Sequence, residues 1–283
     1  MEKLIFTNSR GQSVELGNEA PFILTEIEGT GSVNVNIQSQ KSPYQDGSTY
    51  LDNTLEPRPI SIEVMLLADT IGEMTENRHR LLKVFNPKLG PGRLVYQLGN
   101  IKRKIEAISE LAPVFPENKD FKDTMQQGLI QLYCPDPFWL DNFEISEEIT
   151  TWIGGISFPL RLPTTFAMAG PRIINIVNNG DVKTPVKIEI YGPATNPKIT
   201  LRETGEFIRI KDTLTADDVV VITTEFGNKR VEKNGQNAFN ILDLPDSTFF
   251  NLQVGDNVIE FTTEDVSNNA NAKISYRNRY LGI

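Results

Sequence analysis

Apolar and polar residues alternate with a period of two along much of the chain. The alternation is clearest in residues 33–38, 60–66, 94–98, 130–134 and 186–191. Successive side chains of a strand point to opposite faces, so each stretch offers one face to a core and one to solvent or a partner. Many short stretches of this kind, separated by turn signals such as Asn234-Gly235, are typical of a β-sandwich or jelly roll. The pattern therefore predicts a mainly β protein.

One segment departs from this period and predicts a helix. Thr70 and Glu73 have the Ser/Thr-x-x-Glu spacing of a capping box, which satisfies free backbone donors at a helix start. Asn86-Pro87 ends the segment, because proline cannot continue a helix. We expect one helix over about residues 71–85, packed on a β-sandwich. Its buried face is predicted to comprise Ile71, Met74, Arg78, Leu81, Leu82 and Phe85.

Two prolines mark the expected domain boundary. Pro135 and Pro137 remove backbone donors and force an extended path, and the region after them has no helical pattern. We place the boundary near residues 136–145. The predicted domains are an N-terminal β-sandwich with one helix, residues 1–138, and a C-terminal jelly-roll β-sandwich, residues 139–283.

Charge and composition exclude several classes of function. The chain has 28 Lys and Arg against 37 Asp and Glu, a formal net charge of −9, and no long basic block, so we expect no nucleic-acid binding through phosphates. No apolar run approaches the ~18 residues of a membrane helix. Residues 1–6 lack the apolar core of a signal peptide. We therefore expect a soluble chain without membrane insertion, assembled in a cytoplasm.

The residues that usually carry catalysis or bind metals are scarce. His79 and Cys134 are the only His and Cys, which together cannot form the usual structural zinc site. His79 falls on the predicted helix as an exposed residue, and Cys134 is predicted to be a small buried one. Phosphate-loop and nucleophile-elbow motifs are absent from the sequence. We therefore predict no catalytic residue, no enzyme activity, no cofactor and no metal.

Several short motifs occur in an order that resembles a known family. In the N-terminal half they are Gly11-Gln12-Ser13-Val14, Asp46-Gly47, Arg58-Pro59-Ile60-Ser61-Ile62, Asn86-Pro87, residues 90–96 and Asp136-Pro137-Phe138-Trp139. In the C-terminal half they are residues 178–181, 185–188, Thr204-Gly205, 249–252 and 254–257. Taken in order over both halves, these motifs resemble the distal tail protein family of long-tailed bacteriophages (siphoviruses), components of the tail tip or baseplate.

The resemblance implies a structural role and a set of partners. It implies a galectin-like C-terminal β-sandwich and a ring, usually of six copies, built from N-terminal domains at the distal end of the tail tube. DNA passes through the ring, without sequence-specific binding. The implied partners are further copies of the chain, the tail-tube protein, the tail-fibre or lysin protein, and receptor-binding proteins. The implied location is the virion tail tip, after assembly in the cytoplasm of a bacterial host.

Two other functions stay open at this point. A carbohydrate-binding adhesin of the jelly-roll type would use Trp139 and Trp152 as a sugar-stacking platform, although packing between domains is the favoured role of these residues. A glycoside hydrolase is supported only by neighbouring carboxylates, Asp217-Asp218 and Glu147-Glu148. Neighbours along a strand point to opposite faces, which argues against convergence of either pair on one bond.

Residues 40–57 are the candidate site for self-association. The segment lies between two clear strands, and structureless loops longer than ~12–15 residues are uncommon in compact domains. It carries Tyr44, Tyr50, Leu51 and Leu55, and tyrosine is enriched at protein interfaces. We predict that these four residues belong to an arm that embraces the neighbouring subunit of a ring. The alternative is an extended hairpin folded back on its own domain.

Overall fold

The computed structural model describes residues 2–31, 33–116, 124–149, 172–264 and 270–283, and the backbone of the short strands at 152–153 and 168–169. The described chain is mainly β with one α-helix, as predicted. It forms two compact units, Met1–Asn142 with Tyr280–Ile283, and Phe143–Arg279. These units differ from the predicted domains in that residues 139–142 and 280–283 belong to the first. Independent folding of the two domains stays a prediction.

The described residues of the first unit form ten strands before the chain leaves it. They are β1 (Glu2–Thr7), β2 (Ser13–Leu16), β3 (Phe22–Glu28), β4 (Val35–Gln40), β5 (Thr49–Leu55), β6 (Arg58–Leu67), β7 (Gly92–Leu98), β8 (Ile101–Ser109), β9 (Met125–Cys134) and β10 (Trp139–Asp141). Helix α1 (Ile71–Val84) and a short 3-10 turn (Pro87–Leu89) lie between β6 and β7.

A single bent sheet encloses the core of the first unit. Its strands run in the order β2-β1-β7-β8-β9-β6-β3, and β10 pairs with the end strand of the chain and with β8. Strand β8 belongs to both layers, because residues 101–107 pair with β7 whereas Ile108 and Ser109 pair with β9. The parallel bridge between Gly17 and Ile23 joins β2 to β3. One hydrophobic core therefore lies between the two layers.

Helix α1 covers part of this core and begins as the sequence predicts. The Thr70 hydroxyl accepts a hydrogen bond from the Glu73 backbone N–H at 3.2 Å. The Glu73 carboxylate reaches back to the N–H of Asp69 rather than that of Thr70, at 2.9 Å. Met74, Leu81 and Phe85 are buried, but the predictions for Ile71 and Arg78 were wrong, because both side chains are exposed. Ile71 lies in the first turn, ahead of the residues that pack on the core.

The second unit is a β-sandwich. Its strands are β11 (Ile145–Ile149), β12 (Trp152–Ile153), β13 (Met168–Ala169), β14 (Arg172–Asn178), β15 (Val186–Tyr191), β16 (Ala194–Thr195), β17 (Lys198–Leu201), β18 (Phe207–Arg209), β19 (Thr213–Leu214), β20 (Val219–Thr223), β21 (Arg230–Lys233), β22 (Gln236–Asn237), β23 (Gly255–Thr262) and β24 (Asn271–Tyr276). The last strand of the chain is β25 (Arg279–Tyr280), the partner of β10.

Two main sheets pack against each other in this unit. One has the order β11-β24-β15-β20-β21-β22, the other β14-β23-β17-β18. Inward residues alternate along the strands: Val220 and Ile222 of β20 are fully buried, whereas Val219 and Val221 are only partly buried. The continuous apolar run Val219–Ile222 therefore forms a strand with a single core face. Among the described residues, the opposite sheet packs against that face alone.

Candidate functional site

The most prominent feature outside the two cores is a ribbon formed by β4 and β5, which we call the arm (residues 35–55). Among the described residues these strands pair only with each other, antiparallel from Val35 opposite Leu55 to Gln40 opposite Thr49. The register shifts between Gln38 and Ser39, a bulge that bends the ribbon. The expected loop at residues 40–57 thus contains a strand, and the arm is longer than the sequence indicated.

Both faces of the arm are open to solvent. Ile37 is 63% exposed, Tyr50 is 59% exposed and Leu51 is 57% exposed, while Leu55 near the base is partly buried. The hairpin is therefore not folded back against its own domain, which was the alternative prediction. A two-stranded ribbon alone is marginally stable in water.

A compact turn presents a tyrosine at the tip of the arm. Gln45 accepts a hydrogen bond from the Ser42 N–H at 3.0 Å and donates one to the Thr49 hydroxyl at 3.2 Å. Tyr44 has a φ of 63°, uncommon for a residue with a side chain, and its ring is fully exposed. Of the four predicted interface residues, Tyr44, Tyr50 and Leu51 thus project from the arm.

The base of the arm is built around one buried cation. Arg58, the first residue of β6, is fully buried. Its guanidinium donates to the carbonyl of Gly29 at 2.6 Å, to that of Pro137 at 2.8 Å, and to that of Leu281. Burial lowers the pKa of Arg58, but a guanidinium stays protonated in proteins. Carbonyl dipoles thus surround its charge, and the segments before and after the arm are joined through it.

Residues 280–283, which we call the return segment, lie against this base. Arg103 stacks on the ring of Tyr280 at 3.5 Å and donates to the Gly282 carbonyl. The Tyr280 hydroxyl lies 3.4 Å from the Asp141 carboxylate, and Ile283 packs against the core of the first unit. Four residues from the far end of the sequence therefore complete the first unit.

Trp139 also belongs to this base, which overturns its proposed role in sugar stacking. Its ring is fully buried in the first core, with its edge toward Tyr96 at a centroid distance of 6.3 Å. The indole N–H donates to the Thr30 carbonyl at 3.2 Å. A buried indole cannot stack on a glycan. The side chain of Trp152 lies outside the described residues.

The base also explains two glycines. Gly29 has a φ of +86°, and a Cβ there would lie 2.2 Å from the Pro59 carbonyl oxygen. A Cβ on Gly282 would lie 3.1 Å from the Cα of Gly31. Gly29 therefore needs the absence of a side chain because of both its backbone conformation and the lack of space. A side chain at Gly282 would require its neighbours to shift.

Sequence reasoning missed Arg58 as a functional residue, although a signal was present. Arg58 has the same parity as Ile60 and Ile62, the buried positions of β6. A charged residue at a strand position that faces the core predicts a buried charge with hydrogen-bond partners. No comparable signal marks the return segment, because its contacts join residues separated by up to 223 positions.

The remaining candidates for chemistry are dispersed. His79 is exposed on α1, as predicted, and Cys134 is fully buried, which raises the pKa of its thiol to about 12. Asp217 and Asp218 occupy a turn rather than a strand. Among the described residues, no group of three or more His, Cys, Asp or Glu side chains could hold a metal. Within the same residues, no helix has the length and apolar character to cross a membrane.

Comparisons with known proteins agree with this architecture. Residues 9–134 match a family model described as a phage tail protein RIFT-related domain. Residues 179–280 match a model described as a siphovirus-type tail component, C-terminal domain. A search of curated protein sequences found no match.

Solved structures with the same fold come from phage tails. The chain is 14% identical to the Dit protein (gp 19.1) of phage SPP1, with a TM-score of 0.69 over 98% of this chain and 99% of that one. It is 12% identical to a chain of the phage P2 baseplate in its activated conformation with calcium, with a TM-score of 0.51 over 100% of this chain and 99% of that one. At such identities the likeness shows the fold.

Proposed function

Since the chain belongs to the family of siphovirus-type tail components, we propose that it is a structural hub at the distal end of a phage tail tube. The membership confirms the resemblance to distal tail proteins drawn from the order of motifs. A component of this family is part of the virion tail. The SPP1 relative is described as a paradigm of the hub adsorption apparatus of phages that infect Gram-positive bacteria, and the fold is shared over almost the whole chain.

The observation that supports self-assembly most directly is the arm. It exposes Tyr44, Tyr50 and Leu51 on a ribbon that the described part of its own unit leaves uncovered. A surface that binds a different surface on the next copy generates a ring when the rotation closes. We therefore propose that each arm lies on the neighbouring subunit of a ring, with six copies as the resemblance implies.

The other proposed contacts follow from a hub position. The ring would join the tail-tube protein to the tail-fibre or lysin protein, and the second unit would hold receptor-binding proteins. DNA would pass through the centre without being bound, which the net charge of −9 favours because acidic surfaces repel phosphates. Assembly would take place in the host cytoplasm. We propose no catalytic activity, cofactor or metal for this structural role.

The arm is tested by removing its exposed side chains in the full-length protein. The triple variant Tyr44→Ala, Tyr50→Ala, Leu51→Ala should dissociate the ring and leave both units folded, since its targets are largely exposed in the subunit and belong to neither core. Light scattering and negative-stain imaging at several concentrations measure the assembly. Circular dichroism and thermal unfolding measure the fold.

The matched control removes exposed apolar side chains from the second unit. Phe226, Leu244 and Val254 are comparably exposed and lie outside the arm. Their triple alanine variant should assemble like the unmodified protein. Rings that persist in the arm variant at the same concentration would show that the arm is not the interface.

The adhesin alternative has lost one of its two tryptophans. Trp139 is buried, and the polar depression of about 520 Å³ in the second unit shows no aromatic ring among its described lining residues. Those residues are Asn196, Arg209, Lys211, Asp212, Thr213 and Glu264. Glycan binding by this unit on an array would revive the alternative.

A further inference from the structure

We propose that the first unit contains a peptide-recognition groove, that residues 280–283 are its built-in ligand, and that their docking fixes the direction of the arm. The ligand class is a short extended peptide with the pattern aromatic, any residue, glycine, aliphatic. Docking is a property of the subunit alone. Only its effect on assembly rests on the proposed function of the arm.

Arg58 connects the path into the arm with the return segment. Gly29 lies on the chain path into the arm, and Arg58 lies directly after the arm, at the start of β6. The guanidinium of Arg58 holds the Gly29 carbonyl at 2.6 Å and also donates to the Leu281 carbonyl. The two strands of the arm thus emerge from a point at which the return segment is bound.

The return segment supplies Arg58 with one of its carbonyl acceptors. A buried charged donor that loses its acceptor incurs a larger penalty than a neutral one, because the charge cannot be solvated. Without the Leu281 carbonyl, Arg58 would need water or a shifted backbone to replace it. Either change acts on the segment around Gly29, because Arg58 holds both carbonyls.

The groove leaves little room for a side chain at position 282. The space for a Cβ on Gly282 is limited by the Gly31 Cα at 3.1 Å and the Thr30 carbonyl oxygen at 3.3 Å. The Thr30 carbonyl is itself held by the buried Trp139. A side chain at position 282 must therefore push the path into the arm or lift the return segment. Glycine fits here without such a shift, because the two backbones approach each other closely.

Two further contacts make the groove selective for its ligand. The Arg103 guanidinium lies over the Tyr280 ring at 3.5 Å and donates to the Gly282 carbonyl. One side chain therefore binds both an aromatic ring and a backbone carbonyl of the return segment. Ile283 adds an aliphatic contact with the core. Leu281, by contrast, contributes its carbonyl, while its side chain is 40% exposed.

This difference between neighbouring residues provides the test in the full-length chain. We compare Gly282→Val with the matched control Leu281→Ala, which preserves the backbone contacts. Hydrogen exchange of the amides in residues 28–31 and 33–35 should accelerate at least tenfold in Gly282→Val and less than threefold in Leu281→Ala. Amides of the second unit serve as the internal reference. Equal exchange in both variants would overturn the proposal.

A peptide supplied in trans tests recognition itself. In a chain lacking residues 280–283, the synthetic peptide Arg-Tyr-Leu-Gly-Ile should restore protection of residues 28–31, and the same peptide with Val for Gly should not. A folded truncated chain that is indifferent to both peptides contradicts the proposal. If the truncated chain does not fold, the full-length variant Arg103→Gln takes its place, and amide exchange around Gly282 should accelerate in it. Slower or unchanged exchange there would contradict the proposal.

The direction of the arm can be measured without assembly. Spin labels at Ser48→Cys on the arm and Glu106→Cys on β8 report its direction, with Cys134→Ser removing the native thiol. The measurement uses the arm variant that is expected to be monomeric. Gly282→Val should broaden the distance distribution, whereas Leu281→Ala should not.

The two proposals fail in different ways. A broadened distribution together with intact rings in the arm variant would support docking and reject the arm as the interface. An unchanged distribution together with loss of rings in the arm variant would support the interface and reject docking as the device that directs it.

Discussion

Two hairpins of this molecule place the apolar residues of their strands in opposite environments. In the arm, Val35 and Ile37 alternate with polar residues and are exposed. In the second unit, Val220 and Ile222 take the alternate, inward positions of the apolar run Val219–Ile222 in β20 and are fully buried. Strand β20 pairs with β15 as well as β21, and its inner face packs on a core. β4 pairs with β5 alone.

The comparison shows what alternation specifies. It gives a strand and the face that is apolar, but not the surface that covers this face. In β20 the cover is the opposite sheet of the same unit. For the arm the structure contains no cover among the described residues, so the apolar positions serve assembly in our proposal. Changes at matched positions should therefore affect stability in one hairpin and association in the other.

The largest effect is expected from truncating matched isoleucines. Ile222→Ala should lower the free energy of unfolding of the second unit by about 2–5 kcal/mol, through lost burial and the cavity left behind. Ile37→Ala should change stability by less than about 0.5 kcal/mol, because the side chain is exposed in the subunit. Denaturant unfolding resolved by hydrogen exchange measures both. A large loss in Ile37→Ala would mean that the arm packs on its own unit.

A smaller effect is expected from the glycines in the two turns. Gly235 of the β21–β22 turn has a φ of 77°, and Gly47 at the tip of the arm has a φ of 75°. At both positions a Cβ would have no described atom within 4 Å beyond its chain neighbours. Gly235→Ala should cost the second unit about 1 kcal/mol in left-handed backbone strain. Gly47→Ala carries the same strain but should leave global unfolding unchanged. Denaturant unfolding of each variant measures the loss, and equal losses in both would show that the arm unfolds together with the first core.

The smallest effect is expected from the pH dependence of the second hairpin. Hydrogen bonds from the Thr215 backbone N–H, the Asn234 amide and the Thr215 hydroxyl lower the pKa of Asp218 well below its usual value. The folded state therefore binds fewer protons than the unfolded state in this range, and stability is lost as the pH falls below about 5.

Asp218→Asn should remove part of this pH dependence. Unfolding curves between about pH 2.5 and 6 measure the difference, with Asp52→Asn on the exposed arm as the control. A pH profile that Asp218→Asn leaves unchanged would show that these hydrogen bonds contribute nothing to stability.

The same comparison explains how much could be predicted from the sequence. The mainly β fold, the single helix and the Asn234-Gly235 turn follow from local periodicity and turn chemistry, which depend on neighbouring residues. The interface residues of the arm could be proposed from their chemistry, but whether the hairpin was free or folded back could not. That outcome depends on the packing of distant strands.

The base of the arm was the least predictable part of the site. Arg58 carried a parity signal, yet its acceptors lie on Gly29, Pro137 and Leu281, which no local pattern connects. The sequence placed Trp139 at the domain junction because it follows two prolines. In the structure its ring is buried in the first core, where its indole N–H donates to the Thr30 carbonyl. Long-range hydrogen bonds of this kind depend on topology that periodicity does not encode.

The return segment also determines when the first unit can finish folding during translation. Its residues leave the ribosome only after the whole of the second unit, so the first unit waits on the order of ten seconds at bacterial elongation rates for its last contacts. During that interval the arm of a nascent chain has an incomplete base. If docking directs the arm, chains truncated by premature termination would be poor building blocks for a ring, and the order of translation would itself select complete copies.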